Sequence, residues 1–141
     1  MNEYFDKYSG VRNYLDFLKK FAHEHGYVKT LMNRIRYIPE INSSNANMRN
    51  FGERAAMNTP VQGSAADIMK CAMVRVYNRL KSENLQAQII LQVHDELIIE
   101  TPYDEEDAVK AILKEEMENA VMLNVPLVVE MEVGHSWYDA K

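Results

Sequence analysis

Three polar side chains, His94, Asp95 and Glu96, separate two apolar runs of the sequence. A tight hairpin turn between such runs prefers Asn-Gly or Asp-Gly, and departures from a local preference are expected at functional sites. Adjacent carboxylates at a sheet edge suit Mg²⁺, which takes hard oxygen ligands and binds through one or two carboxylates plus substrate phosphates. A solvated polar turn explains the same residues equally well. The bend therefore has two interpretations, a metal-binding turn and a plain one.

A second set of polar residues, Arg54, Asn58 and Gln62, recurs at intervals of four. Because four residues of a helix advance by only ~40° around its axis, these side chains would form one stripe. Their donors and acceptors suit hydrogen bonds to base edges and sugars. Pro60 cannot donate to the carbonyl of Ala56, so the helix is expected to kink or end there. An ordinary exposed polar face is the alternative explanation.

Basic residues in a third stretch, Lys29, Arg34 and Arg36, could contact a phosphate backbone. The alternation of a strand places Arg34 and Arg36 on one side and Ile35 on the other. This pattern is a weaker indication than the first two.

The elements that must position these residues follow from the periodicity. Apolar spacing predicts a helix over 11–25 that ends at Gly26; His23 and His25 do not share a face of it and are interpreted as surface residues. The stretch 27–39 favours a hairpin. Capping residues within 42–45 favour a further helix, which we expect Pro60 to interrupt.

The second half of the chain shows the same kinds of pattern. A helix is predicted after Gly63, ending near 82–84. Strand-like runs cover 87–93 and 97–100, and another apolar stripe from Val109 to Val121 predicts a helix. A last strand is expected over 127–133. Helices with a small antiparallel sheet predict an α+β fold in one domain.

Composition excludes several classes of protein. The 141 residues are 47% hydrophobic and 26% charged, as in a soluble globular domain. A single cysteine, Cys71, rules out an internal disulfide, and the four histidines show no zinc-binding spacing. No segment approaches the ~20 apolar residues of a membrane span, and the first residues do not resemble a signal peptide. We therefore expect a cytoplasmic protein without a membrane partner.

Charge is segregated along the chain. The net charge of −5 combines +3 over residues 27–62 and +2 over 63–94 with −10 over 95–141. A basic middle could face phosphates while the acidic end is solvated. Ordinary solvated faces are the simpler explanation of the same charges.

Four strings of residues together resemble the C-terminal end of family A DNA polymerases. They are Gly26-Tyr-Val-Lys-Thr-Leu, Arg36-Tyr-Ile-Pro, Glu53-Arg-Ala-Ala-Met-Asn-Thr-Pro-Val-Gln-Gly-Ser-Ala-Ala-Asp-Ile and Leu91-Gln-Val-His-Asp-Glu-Leu. The likeness runs in register from about Tyr4 to the end. The resemblance implies template-directed DNA synthesis in replication and repair, with primer–template DNA and dNTP as partners.

The resemblance also implies roles for particular residues. Asp95 would be the second of two palm aspartates that hold a pair of Mg²⁺ ions, with Glu96 beside it and His94 near the primer terminus. The stripe of Arg54, Asn58 and Gln62 would contact the minor groove of the primer–template next to the insertion site. Residues 1–62 would be fingers-proximal, and 63–141 would form part of the palm of a right-hand polymerase domain.

Several departures from the family pattern accompany this likeness. Asn33-Arg34-Ile35-Arg36 replaces the usual Gly-Arg-Arg-Arg, which removes one basic contact, and Ser64 replaces a threonine but keeps the hydroxyl. The family's first catalytic aspartate and its nucleotide-binding fingers helix have no match in these residues.

These absences lead to two expectations about the chain by itself. We expect it to be inactive as a polymerase. A different class of function, a folded interaction module that self-associates or binds DNA, stays open as the alternative, because orphaned edge strands favour pairing with another copy.

Overall fold

A computed structural model describes residues 2–140, which form helices and two antiparallel hairpins, so the predicted α+β class is confirmed. The helices are α1 (Asn2–Lys7), α2 (Ser9–His25), α3 (Ala46–Ser82) and α4 (Glu106–Glu118). The strands are β1 (Tyr27–Lys29), β2 (Ile35–Tyr37), β3 (Gln88–Val93) and β4 (Glu96–Glu100). Short 3₁₀ turns cover Pro39–Asn42 and Tyr103–Glu105. The chain divides into two compact units, Met1–Ala65 and Ala66–Lys141, and α3 contributes residues to both.

The first unit begins with the helix that the apolar spacing predicts. α2 ends where Gly26 adopts φ = 77°, a left-handed conformation that glycine tolerates without strain. The N–H of Gly26 donates to the carbonyl of Ala22 at 2.7 Å and satisfies an orphan acceptor of the last turn. The predicted hairpin follows, with Tyr27 opposite Tyr37 and a turn in which Asn33 has φ = 62°.

The core of the first unit lies between α2, the hairpin and the first part of α3. It contains the buried side chains of Ala22, Val28, Ile38, Ile41 and Ala56. Gly52 is required here, because a Cβ at this position would lie 2.9 Å from the backbone nitrogen of Ile41. The close approach of α3 to the 3₁₀ turn therefore depends on the absence of a side chain.

We expected α3 to kink or to end at Pro60, and the expectation that it ends there is wrong. The N-cap prediction holds, since Asn45 Oδ1 accepts the backbone N–H of Asn47 at 2.9 Å, but the helix then continues through Pro60 to Ser82. Proline removes only the hydrogen bond to the carbonyl of Ala56. The ring is buried, and the hydroxyl of Ser64 donates to the carbonyl of Pro60 one turn later.

The second unit packs α4 and the second hairpin around the C-terminal part of α3. Its core comprises the buried side chains of Val76, Leu80, Ala87, Val109 and Ile112. The carboxylate of Glu105 accepts the backbone N–H groups of Gln86 and Ala87 at 2.9 Å. These bonds hold the start of β3 against the start of α4. Arg75 Nε donates to Glu116 at 2.8 Å and ties α3 to α4.

Two expectations for the end of the chain are wrong. The helix ends at Glu118 and does not reach Ala120 and Val121. The stretch 127–133 alternates in burial but forms no strand, because pairing needs a neighbouring ladder and none of residues 2–140 supplies one. Within the same residues no helix is long and apolar enough to cross a membrane.

Candidate DNA-contact surface and metal-binding turn

The β3–β4 hairpin presents the candidate catalytic residues at its tip. Val93 lies opposite Glu96, so the turn itself consists of His94 and Asp95. Glu96 is the first residue of β4. The expectation that Glu96 belongs to the turn is therefore wrong. His94 has φ = 52°, a left-handed conformation that costs a residue with a Cβ roughly 1–2 kcal/mol. The side chain of Gln92 donates to the His94 carbonyl at 2.7 Å. Asp95 is therefore displayed on a bend that the hairpin stabilises.

A bulge in β3 lies close to this turn. The pairing moves from Ile89 opposite Ile99 to Leu91 opposite Ile98, so one residue, Ile90, is inserted without a partner. Bulges bend and twist a strand and are frequent beside active sites. Periodicity alone could not have located this one, because the apolar run is unbroken through the insertion.

The exposed carboxylates of Asp95 and Glu96 fit part of a magnesium site. Their oxygens are hard donors, and Mg²⁺ needs only one or two carboxylates when phosphates and water complete its shell. Among the side chains of residues 5–140, however, no three from His, Cys, Asp or Glu lie close enough together to hold a metal ion. A complete site at this turn therefore needs further ligands from outside these side chains.

The predicted stripe on α3 forms as the spacing requires. Arg54, Asn58 and Gln62 are all exposed, and Pro60 does not remove Gln62 from the helix. No hydrogen bond or ion pair joins any of the three side chains to another part of residues 5–140. Their polar groups are available to a partner that approaches this face.

Two arginines of the first hairpin reach the same stretch of α3. Arg34 donates to the carbonyl of Gly63 at 3.0 Å, and Arg36 donates to Thr59 Oγ1 at 3.1 Å, so both side chains turn toward the same helix, as alternation predicts. Lys29 instead lies over the ring of Tyr27, 5.7 Å from its centroid.

A cleft of about 220 Å³ lies between the hairpin and α3. Its walls are formed by Thr30, Arg34, Arg36, Thr59, Gln62 and Gly63. A Cβ on Gly63 would lie 2.7 Å from Thr30 Cγ2, so only glycine permits this approach. Ser64 adds a second link, since its hydroxyl accepts the N–H of Leu31 at 2.9 Å.

Sequence reasoning missed the residues that orient the candidate contacts. Thr59 and Gly63 hold the arginines, but they lie 23 and 29 residues away along the chain. A strand–helix contact of this separation leaves no periodic signal. The small residues themselves, Gly63 and Ser64, were the available sign of a close approach.

The two units differ in charge. The first carries nine Lys and Arg against six Asp and Glu, a net +3, and the second carries seven against fifteen, a net −8. The exposed stripe and the cleft therefore belong to the basic unit, and the carboxylates of Asp95 and Glu96 belong to the acidic one.

The chain has a helix face of hydrogen-bonding groups beside a basic cleft, and it also has a hairpin with carboxylates at its tip. These features are expected of a nucleic-acid polymerase. The model of DNA polymerase family A matches residues 1–139, and the chain belongs to this family. It is 60% identical over 141 residues to DNA polymerase I of Caldicellulosiruptor bescii and 50% identical to that of Bacillus subtilis (strain 168). All of the chain is covered in both alignments, but it spans only 17% and 16% of those relatives.

A solved structure supports the same assignment. The POL domain of Pol1 from M. smegmatis, in complex with DNA primer-template and dNTP, matches with a TM-score of 0.96 and 46% identity. The match covers 99% of this chain and 25% of that one. The chain thus has the fold of part of a polymerase domain.

Proposed function

We propose that this chain is the C-terminal, palm and fingers-proximal part of a DNA polymerase I-type enzyme that performs template-directed DNA synthesis in the replication and repair of cytoplasmic DNA. Residues 1–62 would be fingers-proximal and 63–141 would belong to the palm. The observation that carries the proposal is the exposed Asp95 at the tip of the β3–β4 turn, in a chain matched along residues 1–139 by the polymerase family.

Asp95 would supply a carboxylate oxygen to the metal site, with Glu96 beside it and His94 near the primer terminus. The bound Mg²⁺ ions, two in the intact enzyme, would supply charge that clamps the attacking and leaving oxygens. In the reaction the primer 3′-oxygen forms a bond to the α-phosphorus of the dNTP, and the bond to the pyrophosphate leaving group breaks. The protein contributes position and electrostatic stabilisation.

The stripe of Arg54, Asn58 and Gln62 would bind the minor groove of the primer–template. Acceptors occur there in every base pair, so donors on this face can test the geometry of a pair without reading its sequence. The exposure of all three side chains supports this role.

Lys29, Arg34 and Arg36 would contact the phosphate backbone. A guanidinium has five N–H donors in a fixed plane, so the bond from Arg36 to Thr59 orients the group and leaves other donors for phosphate oxygens. The cleft between the hairpin and α3 would then fix the register of the DNA without specifying its sequence.

A chimeric enzyme tests the proposal. The 141 residues would replace the segment that they match in DNA polymerase I of Bacillus subtilis, and primer extension would be measured in single turnover. Asp95→Asn should lower the rate by more than about a hundredfold, the size of losing one electrostatic stabiliser of the transition state. Affinity for primer–template, measured by fluorescence anisotropy, should stay nearly unchanged.

The matched control is Asp104→Asn, an exposed aspartate of the same unit, which should leave the rate unchanged. Equal rates for the two variants would contradict the role of Asp95. A folded parent chimera with no extension activity would contradict the function itself.

A self-associating module is the second candidate, and exposed apolar side chains of the second unit favour it. Met122, Val128 and Ile90 are 100%, 76% and 57% exposed, and both strands of the β3–β4 hairpin have an open edge within the described residues. The isolated chain should then be inactive in primer extension but should dimerise. Sedimentation velocity at about ten to a hundred micromolar would measure this, and a clean monomer would contradict it.

A further inference from the structure

His23 lies in the last turn of α2 and bridges two other elements. Its Nδ1 is 3.0 Å from Asn42 Oδ1 at the end of the 3₁₀ turn, and its Nε2 is 3.1 Å from Glu53 Oε1 on α3. The ring is half-buried, and its side chain is 33% exposed. His23 thus lies at the surface, as the sequence predicts, but it has partners on two other elements, whereas His25 is exposed.

The hydrogen-bond partners determine the protonation state of the ring. Asn42 Nδ2 donates to the backbone carbonyl of His23 at 3.1 Å. Turning the amide over would set its oxygen against that carbonyl, so Asn42 presents an acceptor to Nδ1. The carboxylate of Glu53 is an acceptor as well. Each ring nitrogen therefore faces an acceptor, and only the imidazolium can donate from both.

We propose that His23 is a doubly protonated clamp that ties α2 to the 3₁₀ turn and to α3, and that weakens as the pH rises. A neutral ring would keep one of the two hydrogen bonds and would turn a lone pair toward the other acceptor. The position of the clamp also favours positive charge, because the C-terminal end of a helix carries partial negative charge.

The charges around the ring point in the same direction. The hydrogen bonds to Asn42 and to Glu53 raise the pKa of His23 above its ordinary value of 6.5, and the charge of Glu53 adds to this. Partial burial and the guanidinium of Arg49 oppose the rise. Since the pKa of His23 is raised in the folded state, the stabilisation that its charged ring provides is fully present below pH 6.5. This stabilisation is lost as the pH rises through the pKa of the folded state.

The clamp binds α3 at Glu53, which directly follows the tightly packed Gly52 and precedes Arg54. Loss of the second ring proton of His23 would weaken the attachment to α2 of the part of α3 that carries Arg54. This consequence for DNA binding rests on the proposed function, whereas the protonation state of the ring is independent of it.

Two-bond ¹H–¹⁵N NMR on the 141-residue chain reads both the protonation state and the titration of each histidine. The expected result at pH 6.5 is that both nitrogens of His23 are mainly protonated, with a midpoint above 6.5. Glu53→Gln should lower the His23 midpoint toward 6.5, and the control Glu24→Gln, on the same helix as His23, should not. A His23 midpoint at or below 6.5 would overturn the proposal.

A stability measurement provides a second readout. The urea midpoint of the parent chain should fall relative to that of His23→Arg as the pH rises through the His23 midpoint, because arginine keeps its charge. Parallel curves would overturn the proposal. Should His23→Arg not fold, the NMR titration of the unmodified chain decides alone.

Discussion

The two units of the molecule hold their candidate functional residues in different ways. In the first, Arg34 and Arg36 are oriented by a carbonyl and a hydroxyl of α3, and the exposed stripe lies on the same helix. In the second, Asp95 stands on an exposed two-residue turn for which the side chain of Gln92 supplies one hydrogen bond. One unit has a preformed surface, and the other has Asp95 and Glu96 without a third His, Cys, Asp or Glu ligand among the described side chains.

This difference indicates that the first unit would contribute to ligand binding and the second to the chemical step. A preformed surface loses little freedom when a ligand binds, so its contribution is affinity and register. Carboxylates on a turn contribute only when other ligands and a phosphate complete the metal shell. Changes in the first unit should therefore alter how DNA is held, and changes at Asp95 should alter whether nucleotide is added.

The largest effect on the preformed surface is expected from removing its exposed donors. In the chimeric enzyme, Arg54→Ala and Gln62→Ala should each weaken extension from a correctly paired end by about 1–3 kcal/mol, because each loses minor-groove hydrogen bonds. Discrimination against mismatched ends should change as well. Both are measured by single-turnover extension from matched and mismatched primers.

These variants should leave folding almost unaffected, since exposed polar substitutions usually change stability by less than about 0.5 kcal/mol. Asn13→Ala, at an exposed position of α2 in the same unit, is the control and should be silent. If both variants matched this control in rate and in fidelity, the stripe would not be a DNA contact.

A smaller effect is expected from closing the approach between the hairpin and α3. Gly63→Ala would place a methyl group 2.7 Å from Thr30 Cγ2. Thr30 cannot rotate freely, because its hydroxyl accepts the N–H of Arg34 at 3.1 Å. Overpacking costs about 1–3 kcal/mol, and alanine regains about 0.5–1 kcal/mol in a helix, which leaves a net loss of up to about 2.5 kcal/mol.

Urea unfolding of the chain measures this cost. The control is Gly10→Ala on α2, where a Cβ would meet no atom within 4 Å and should stabilise the chain slightly. If Gly63→Ala and Gly10→Ala changed the urea midpoint equally, the tight contact between Gly63 and Thr30 would be absent in solution.

Local signals predicted the parts of the fold that depend on neighbouring residues. Gly26 ends α2 and Asn45 caps α3, because both positions act on the nearest turn of the helix. The proline signal at Pro60 was equally local, and it did not predict that the helix continues through this residue, whose ring is buried within the first unit.

Contacts between distant residues could not be predicted in the same way. The stretch 127–133 has the alternation of a strand but lacks a ladder partner among residues 2–140, and alternation says nothing about partners. His23 reads as a surface residue because Asn42 and Glu53 lie 19 and 30 positions away. The types of the candidate site residues could be predicted, but the groups that orient them could not.

The smallest effect we expect concerns the acidic unit. The guanidinium of Arg75 hydrogen-bonds to Glu116 and lowers the pKa of that carboxyl below its ordinary value of 4.5. Because the folded pKa is depressed, the stabilisation is present above pH 4.5 and is lost as the pH falls through the folded value. Arg75 is 46% exposed, so solvent screens the pair and its contribution should stay below about 1 kcal/mol.

Glu116→Gln should therefore lower the urea midpoint at pH 7, and the difference from the parent chain should shrink as the pH falls below 4.5. The basic unit should not share this behaviour, because its clamp at His23 is strengthened by protonation whereas the Arg75–Glu116 pair is weakened. Glu100→Gln is the matched control, since Glu100 pairs with no cation among residues 5–140. If the difference between the parent chain and Glu116→Gln stayed constant from pH 7 to pH 3, the stabilisation would come from packing of the side chain and not from its charge.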